Sequence, residues 1–124
     1  MTPDVERDES STPEGVTETP VLVVDDSSTA RLFVRRLVER LPGFRVVVAC
    51  DGKEALAALK KESFAAVVTD LHMPGMDGLE LVESIRDRYP LVPVILMTAQ
   101  GSEDIAVKAL QSGAASYVSK RALE

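Results

Sequence analysis

From residue 21 to residue 119 the chain alternates two patterns, and that alternation leaves few folds open to it. Short apolar runs rich in β-branched residues read as strands over 21–25, 45–50, 64–69, 92–98 and 116–119. Between them, apolar residues recur every three or four positions, as on a helix with one buried face. The first such stretch carries Ala30, Phe33, Val34, Leu37, Val38 and Leu41; Ser27 or Ser28 caps it and Pro42-Gly43 ends it. The others are predicted over 53–61 (Ala55, Leu56, Leu59 inward), 79–88 (Leu81, Val82, Ile85) and 103–112 (Ile105, Ala109, Leu110), the last stopped by Gly113. Pro93 belongs at the start of its strand, where a missing N–H costs least. Strands joined through helices require right-handed crossovers, so the expected class is α/β: a doubly wound five-stranded parallel sheet with helices on both faces.

Two ends of the chain stand apart from this pattern. Residues 1–20 hold six acids and one base, three prolines and scarcely any apolar residue. They cannot bury enough surface to offset their ordering entropy, so a disordered acidic tail is expected through about Pro20. The net charge of −6 belongs mostly to that tail; the rest is near neutral, and its charge argues for no particular partner. After the fifth strand only Lys120 to Glu124 follow, too short for the covering helix that the alternation calls for. A last helix missing or truncated leaves two expectations: a chain that is the front part of a longer protein, or self-association over the bare face. No run approaches a membrane span and no secretory leader is seen, so the expected location is the cytoplasm. The single cysteine, Cys50, excludes an internal disulfide and is expected to be packed rather than reactive.

Every predicted strand except the second ends in a residue suited to phosphate or metal: Asp25-Asp26, Asp70, Thr98 and, just past the last, Lys120. In a parallel sheet those ends share one edge, where open α/β folds bind ligands. Three carboxylates gathered there repel by about 3 kcal/mol per pair at 5 Å and an effective dielectric of 20. A hard divalent cation such as Mg²⁺ offsets that repulsion, taking carboxylate oxygens, waters and phosphate oxygens as ligands. Lys120 supplies a compact cation for phosphate, Thr98 a hydroxyl, and Asp70 a nucleophile for phosphoryl transfer.

Taken together, Asp25-Asp26, Asp70 with Met73-Pro74-Gly75-Met76-Asp77-Gly78, Thr98-Ala99, Gly113-Ala114, Tyr117 and Lys120 resemble the receiver domain of two-component response regulators. The resemblance spans about residues 21–120. It implies a flavodoxin-like sheet of order 2-1-3-4-5, with a receiver domain over 21–124 truncated before its fifth helix. It further implies that Asp70 accepts a phosphoryl group from a sensor histidine kinase or a histidine phosphotransfer protein. Asp25, Asp26, Asp70 and the backbone carbonyl of His72 would hold Mg²⁺ (or Mn²⁺), Lys120 would contact the acyl phosphate, and Thr98 and Tyr117 would switch with it. His72 and Gln100 stand where the family tunes acyl-phosphate hydrolysis. A homodimer through the fourth helix and last strand is also implied. The family usually has proline directly after the lysine, in a cis bond; Arg121 stands here, and a trans bond is expected.

Plainer readings stand beside these. Each Asp alone reads as a cap or turn former, Thr98 as a strand residue, Tyr117 as a half-buried core aromatic and His72 as a solvated bystander. Arg31, Arg35, Arg36 and Arg40 look like a nucleic-acid patch, but Glu39 among them favours a solvated or kinase-facing surface. No nucleic-acid contact is expected from this segment, nor any membrane contact. The expectation is a switch that acts on itself rather than an enzyme on an outside substrate. The alternatives are a phosphorylation-independent interaction module and a haloacid-dehalogenase-type phosphatase. The latter normally wants a second Asp where His72 stands.

Overall fold

The computed structural model describes residues 18–99 and 103–120. Five strands and four helices alternate among them: β1 (Thr19–Val24), α1 (Ser28–Glu39), β2 (Phe44–Ala49), α2 (Gly52–Lys61), β3 (Ala66–Asp70), α3 (Gly78–Arg88), β4 (Val94–Thr98), α4 (Glu103–Ser112) and β5 (Ser116–Ser119). The strands are all parallel, in the order β2-β1-β3-β4-β5. The sheet order therefore reverses between β1 and β3, which sets a crevice at their carboxyl ends.

Alternation along the strands divides the core in two. Leu22, Val24, Val67, Val94 and Leu96 face α2, α3 and α4, where Ala55, Leu59, Leu81, Val82, Ile85 and Ala109 complete the larger cluster. Val21, Val23, Val68 and Met97 face the opposite side, where α1 contributes Val34. An apolar groove of about 190 Å³ runs beside α1 over Val68, Ile95, Met97 and Val118. Residues 121–124, and with them the bond from Lys120 to Arg121, lie outside the described residues.

Several boundaries and packing expectations are corrected. β1 begins at Thr19, pairing Thr19 with Phe44 and Pro20 with Arg45, so two residues expected in the tail belong to the sheet. Pro20 keeps its carbonyl in play by accepting from the Ala65 N–H. Residues 1–17 lie outside the described residues. Asp25 is no longer strand, and β3 begins at Ala66 rather than Phe64. On α1 only Val34 is fully buried; Phe33 is exposed because the apolar stripe is wider than the strip of sheet beneath it, and Leu41, expected on the helix, lies exposed past its end at Glu39. Leu110 on α4 likewise faces out while Ala109 is buried. Cys50 sits half-buried just past β2 rather than in the core. A hydrogen bond to Glu54 raises its thiol pKa, with burial and the nearby carboxylates adding to the effect.

Candidate functional site

The site is built where three strands run out of ladder. The Asp25 N–H still donates to Ala49 O (3.1 Å), while its carboxylate meets Lys120 and its carbonyl accepts from Arg31 on α1. Its carboxylate is wholly buried: Oδ1 accepts from the Ser27 N–H at 2.9 Å and Oδ2 from Lys120 Nζ at 2.9 Å. Asp70 closes β3 and is buried too, with Oδ1 at 3.1 Å from the same Nζ. Asp26 is exposed at the rim. One oxygen from each of Asp25, Asp26 and Asp70 lies within 4.8 Å of the others.

The backbone around Asp70 is clamped from both sides. Thr69 Oγ1 donates to the Asp70 carbonyl (3.1 Å), and the Leu71 N–H donates to Met97 O (2.8 Å). The chain then turns so that the Gly78 N–H donates to Leu71 O (2.8 Å) and α3 begins. A capping box fixes that start: Asp77 Oδ1 accepts from the Glu80 N–H and Glu80 Oε1 from the Asp77 N–H. Gly78 has no room for a side chain, since a Cβ would lie 2.3 Å from the Asp70 carbonyl oxygen and 2.9 Å from Leu71 Cα. Met73 is buried in the larger core, as expected of a loop anchor, and Met76 packs against it.

Electrostatics follow from that burial. Desolvation pushes the Asp70 carboxyl above its usual range, and the Asp25 charge adds to the rise; the hydrogen bond from Lys120 opposes them without cancelling them. Burial would lower the Lys120 ammonium, but its hydrogen bonds to Asp25 and Asp70 outweigh this and raise it. The donors are all hard carboxylate oxygens, and an ammonium already sits among them as a cation. The set fits Mg²⁺ or Mn²⁺ in donor type and charge.

The other expected residues are placed with different degrees of closeness. Thr98 is fully buried at the end of β4, one residue beyond Met97, the register partner of Asp70. Tyr117 on β5 pairs with Leu96, and its ring packs against the larger core with its hydroxyl buried and without a hydrogen-bond partner among the described residues. The His72 side chain is exposed. Gln100 lies outside the described residues. The arginine cluster does not act as one patch: Arg35 pairs with Glu39 in solvent, whereas Arg31 Nη1 donates to the Asp25 carbonyl at 2.7 Å. Sequence reading had missed Arg31, Thr69 and the Ser27 N–H as parts of the site. The signal for Arg31 was its place one turn into α1, where side chains lean back toward the helix start.

Fold and site together define a doubly wound α/β domain with a lysine-bridged acidic pocket at its switch point. The chain belongs to the response regulator receiver domain family, whose model matches residues 21–124, and is thus a signalling module of two-component phosphorelays. It is 46% identical over 101 residues to the response regulator protein FleR of Pseudomonas aeruginosa, covering 81% of this chain and 21% of that protein. Its fold matches the chemotaxis protein CheY4 of Vibrio cholerae with a TM-score of 0.77 at 32% identity, over 84% of this chain and 88% of that one. A Burkholderia pseudomallei response regulator solved with a phosphorylated aspartic acid, calcium ion and citrate matches with a TM-score of 0.73 at 32% identity, over 83% of this chain and 60% of that one. The chain spans about a fifth of the length of the curated relatives it matches. No helix among the described residues is long and apolar enough to cross a membrane.

Proposed function

We propose that the domain is a Mg²⁺-dependent switch in which Asp70 takes a phosphoryl group from a sensor histidine kinase or a histidine phosphotransfer protein. The observation that carries this reading is Lys120 Nζ seated between Asp25 (2.9 Å) and Asp70 (3.1 Å), with Asp26 in reach of both acids. Asp25, Asp26, Asp70 and the His72 carbonyl would hold the cation, which when bound neutralises charge on the transferring phosphoryl oxygens. The Asp70 carboxylate attacks phosphorus; the new O–P bond forms as the donor's N–P bond breaks, and the imidazole leaves with that electron pair. Lys120 then turns from its carboxylates to a phosphoryl oxygen, and the Thr98 hydroxyl donates to another. The modification adds about −1.5 to −2 charges in a largely buried setting, enough to move a neighbouring hydroxyl and ring. Tyr117 is the ring, its unsatisfied hydroxyl marking a side chain with something to gain by moving.

The domain catalyses its own phosphorylation and dephosphorylation, turning over no outside substrate, in the cytoplasm. The His72 side chain and Gln100 set the lifetime of the acyl phosphate. The Burkholderia pseudomallei relative, which carries a phosphorylated aspartic acid and a calcium ion, supports the pairing of modification and cation. Acetyl phosphate with Mg²⁺, followed by intact-mass measurement, tests the reading. One added phosphate is expected, abolished by Asp70→Asn and by chelation of the metal. A chain that gains no phosphate is an interaction module, and many turnovers on outside phosphomonoesters would identify a phosphatase.

A further inference from the structure

Beyond its N–H bond to Ala49 O, Asp25 is held at three points, and only one of them is Lys120. Its Oδ2 meets Lys120, its Oδ1 the Ser27 N–H, and its backbone carbonyl the guanidinium of Arg31 at 2.7 Å. That carbonyl is the first one past β1. Arg31 supplies a charge-assisted partner where the ladder no longer pairs the chain. The same arginine stands in the first turn of α1, and its N–H donates to Ser27 O (2.9 Å). The Arg31 side chain thereby anchors the start of the turn 25–27 that carries Asp25 and Asp26 onto α1, whose own backbone bond at Ser27 O fixes the other end. Arg35, one helical turn further on, pairs with Glu39 in solvent.

We propose that Arg31 is a positioning residue: it fixes the β1–α1 turn so that Asp25 and Asp26 present their oxygens to a divalent cation in one geometry. The proposal rests on the metal reading above. Charge and position predict opposite signs here. Removing a cation beside a cation site tightens Mg²⁺ binding if charge alone matters. Losing the hold on the turn loosens it, as loss of groups that orient metal ligands commonly does by about tenfold or more.

The experiment compares Mg²⁺ dissociation constants by calorimetric titration for the wild type, Arg31→Ala, Arg31→Gln and Arg35→Ala. In parallel, amide hydrogen exchange at Asp26 and Ser27 is followed in the metal-free proteins, with urea midpoints recorded for each. Both Arg31 variants are expected to weaken binding by about tenfold and to speed exchange in the turn. Arg35→Ala, which removes the same charge from the same helix, is expected to leave both within about twofold. Arg31 variants that bind Mg²⁺ as tightly as the wild type, or more tightly, overturn the proposal. So does exchange at Asp26 and Ser27 that the variants do not change. A wild type that binds no Mg²⁺ overturns the metal reading itself, a different result from variants that match a binding wild type.

Discussion

Asp70 carries two opposed demands. Its buried place next to Asp25 disfavours the charged form, while Lys120 and phosphoryl chemistry require it. A carboxyl whose folded pKa is raised adds stability that is fully present below its unfolded value near 3.8 and lost as pH rises through the folded value. Asp70→Asn, which never ionises, is therefore expected to be more stable than the wild type in metal-free buffer at neutral pH. The gain should be about 1 kcal/mol, with the gap closing as pH falls toward 3.8. Urea unfolding at a series of pH values measures it, and a variant less stable than the wild type at neutral pH would show that the Lys120 pair outweighs desolvation. Asp25, Asp70 and Lys120 were legible because each falls at or just past the end of an apolar run. Thr69 was not: a hydroxyl inside an apolar run carries no sign of its partner, and only the folded chain sets it, fully buried, on the Asp70 carbonyl.

Two glycines show how closely the starts of helices approach their neighbours. Gly78 opens α3 directly against the Asp70 carbonyl, so a Cβ there meets backbone that cannot retreat. Gly52 opens α2 against Met76, where a Cβ would lie 2.6 Å from a flexible thioether sulfur. Gly78→Ala is expected to cost about 3 kcal/mol, and to depress phosphorylation by shifting Asp70. Gly52→Ala should cost about 1 kcal/mol, most of it recovered in the double variant Gly52→Ala/Met76→Ala. Chemical denaturation of the single and double variants decides; equal costs at both glycines would refute the distinction. Helix existence and order followed from period and caps, and α4 fell where expected, over 103–112. The exposed Phe33 and Leu110 did not follow, because a stripe of apolar residues says which face turns inward but not how much sheet lies under it.

Across the whole molecule, α2, α3 and α4 cover one face of the sheet while α1 alone covers the other among the described residues. The binding crevice sits at the edge shared by both, so an ion held there links β1 to β3 across the order reversal. Mg²⁺ that binds only the folded chain must stabilise it by mass action, by about 2.7 kcal/mol at a hundredfold excess over its dissociation constant. For a domain of this size that raises Tm by roughly 10–20 °C. Chelation should reverse the rise, and Asp25→Asn should remove it; scanning calorimetry with and without the metal reads both. A Tm indifferent to Mg²⁺ at millimolar concentration would count against a folded-state cation site.

By itself the sequence determined the class and the cast: five buried strands in alternation with helices, acids and a lysine at the ends that a parallel sheet must bring to one edge. Those follow from periodicity and chain chirality, which are local. The tertiary structure alone decided which atoms meet: Lys120 reaching across 95 residues to Asp25, Arg31 turned back onto the Asp25 carbonyl, Thr69 sealed between strands, and Tyr117 folded in with its hydroxyl unmet. Contacts of that kind depend on register and on side-chain reach between elements far apart in the chain, and no pattern along one strand or helix encodes them.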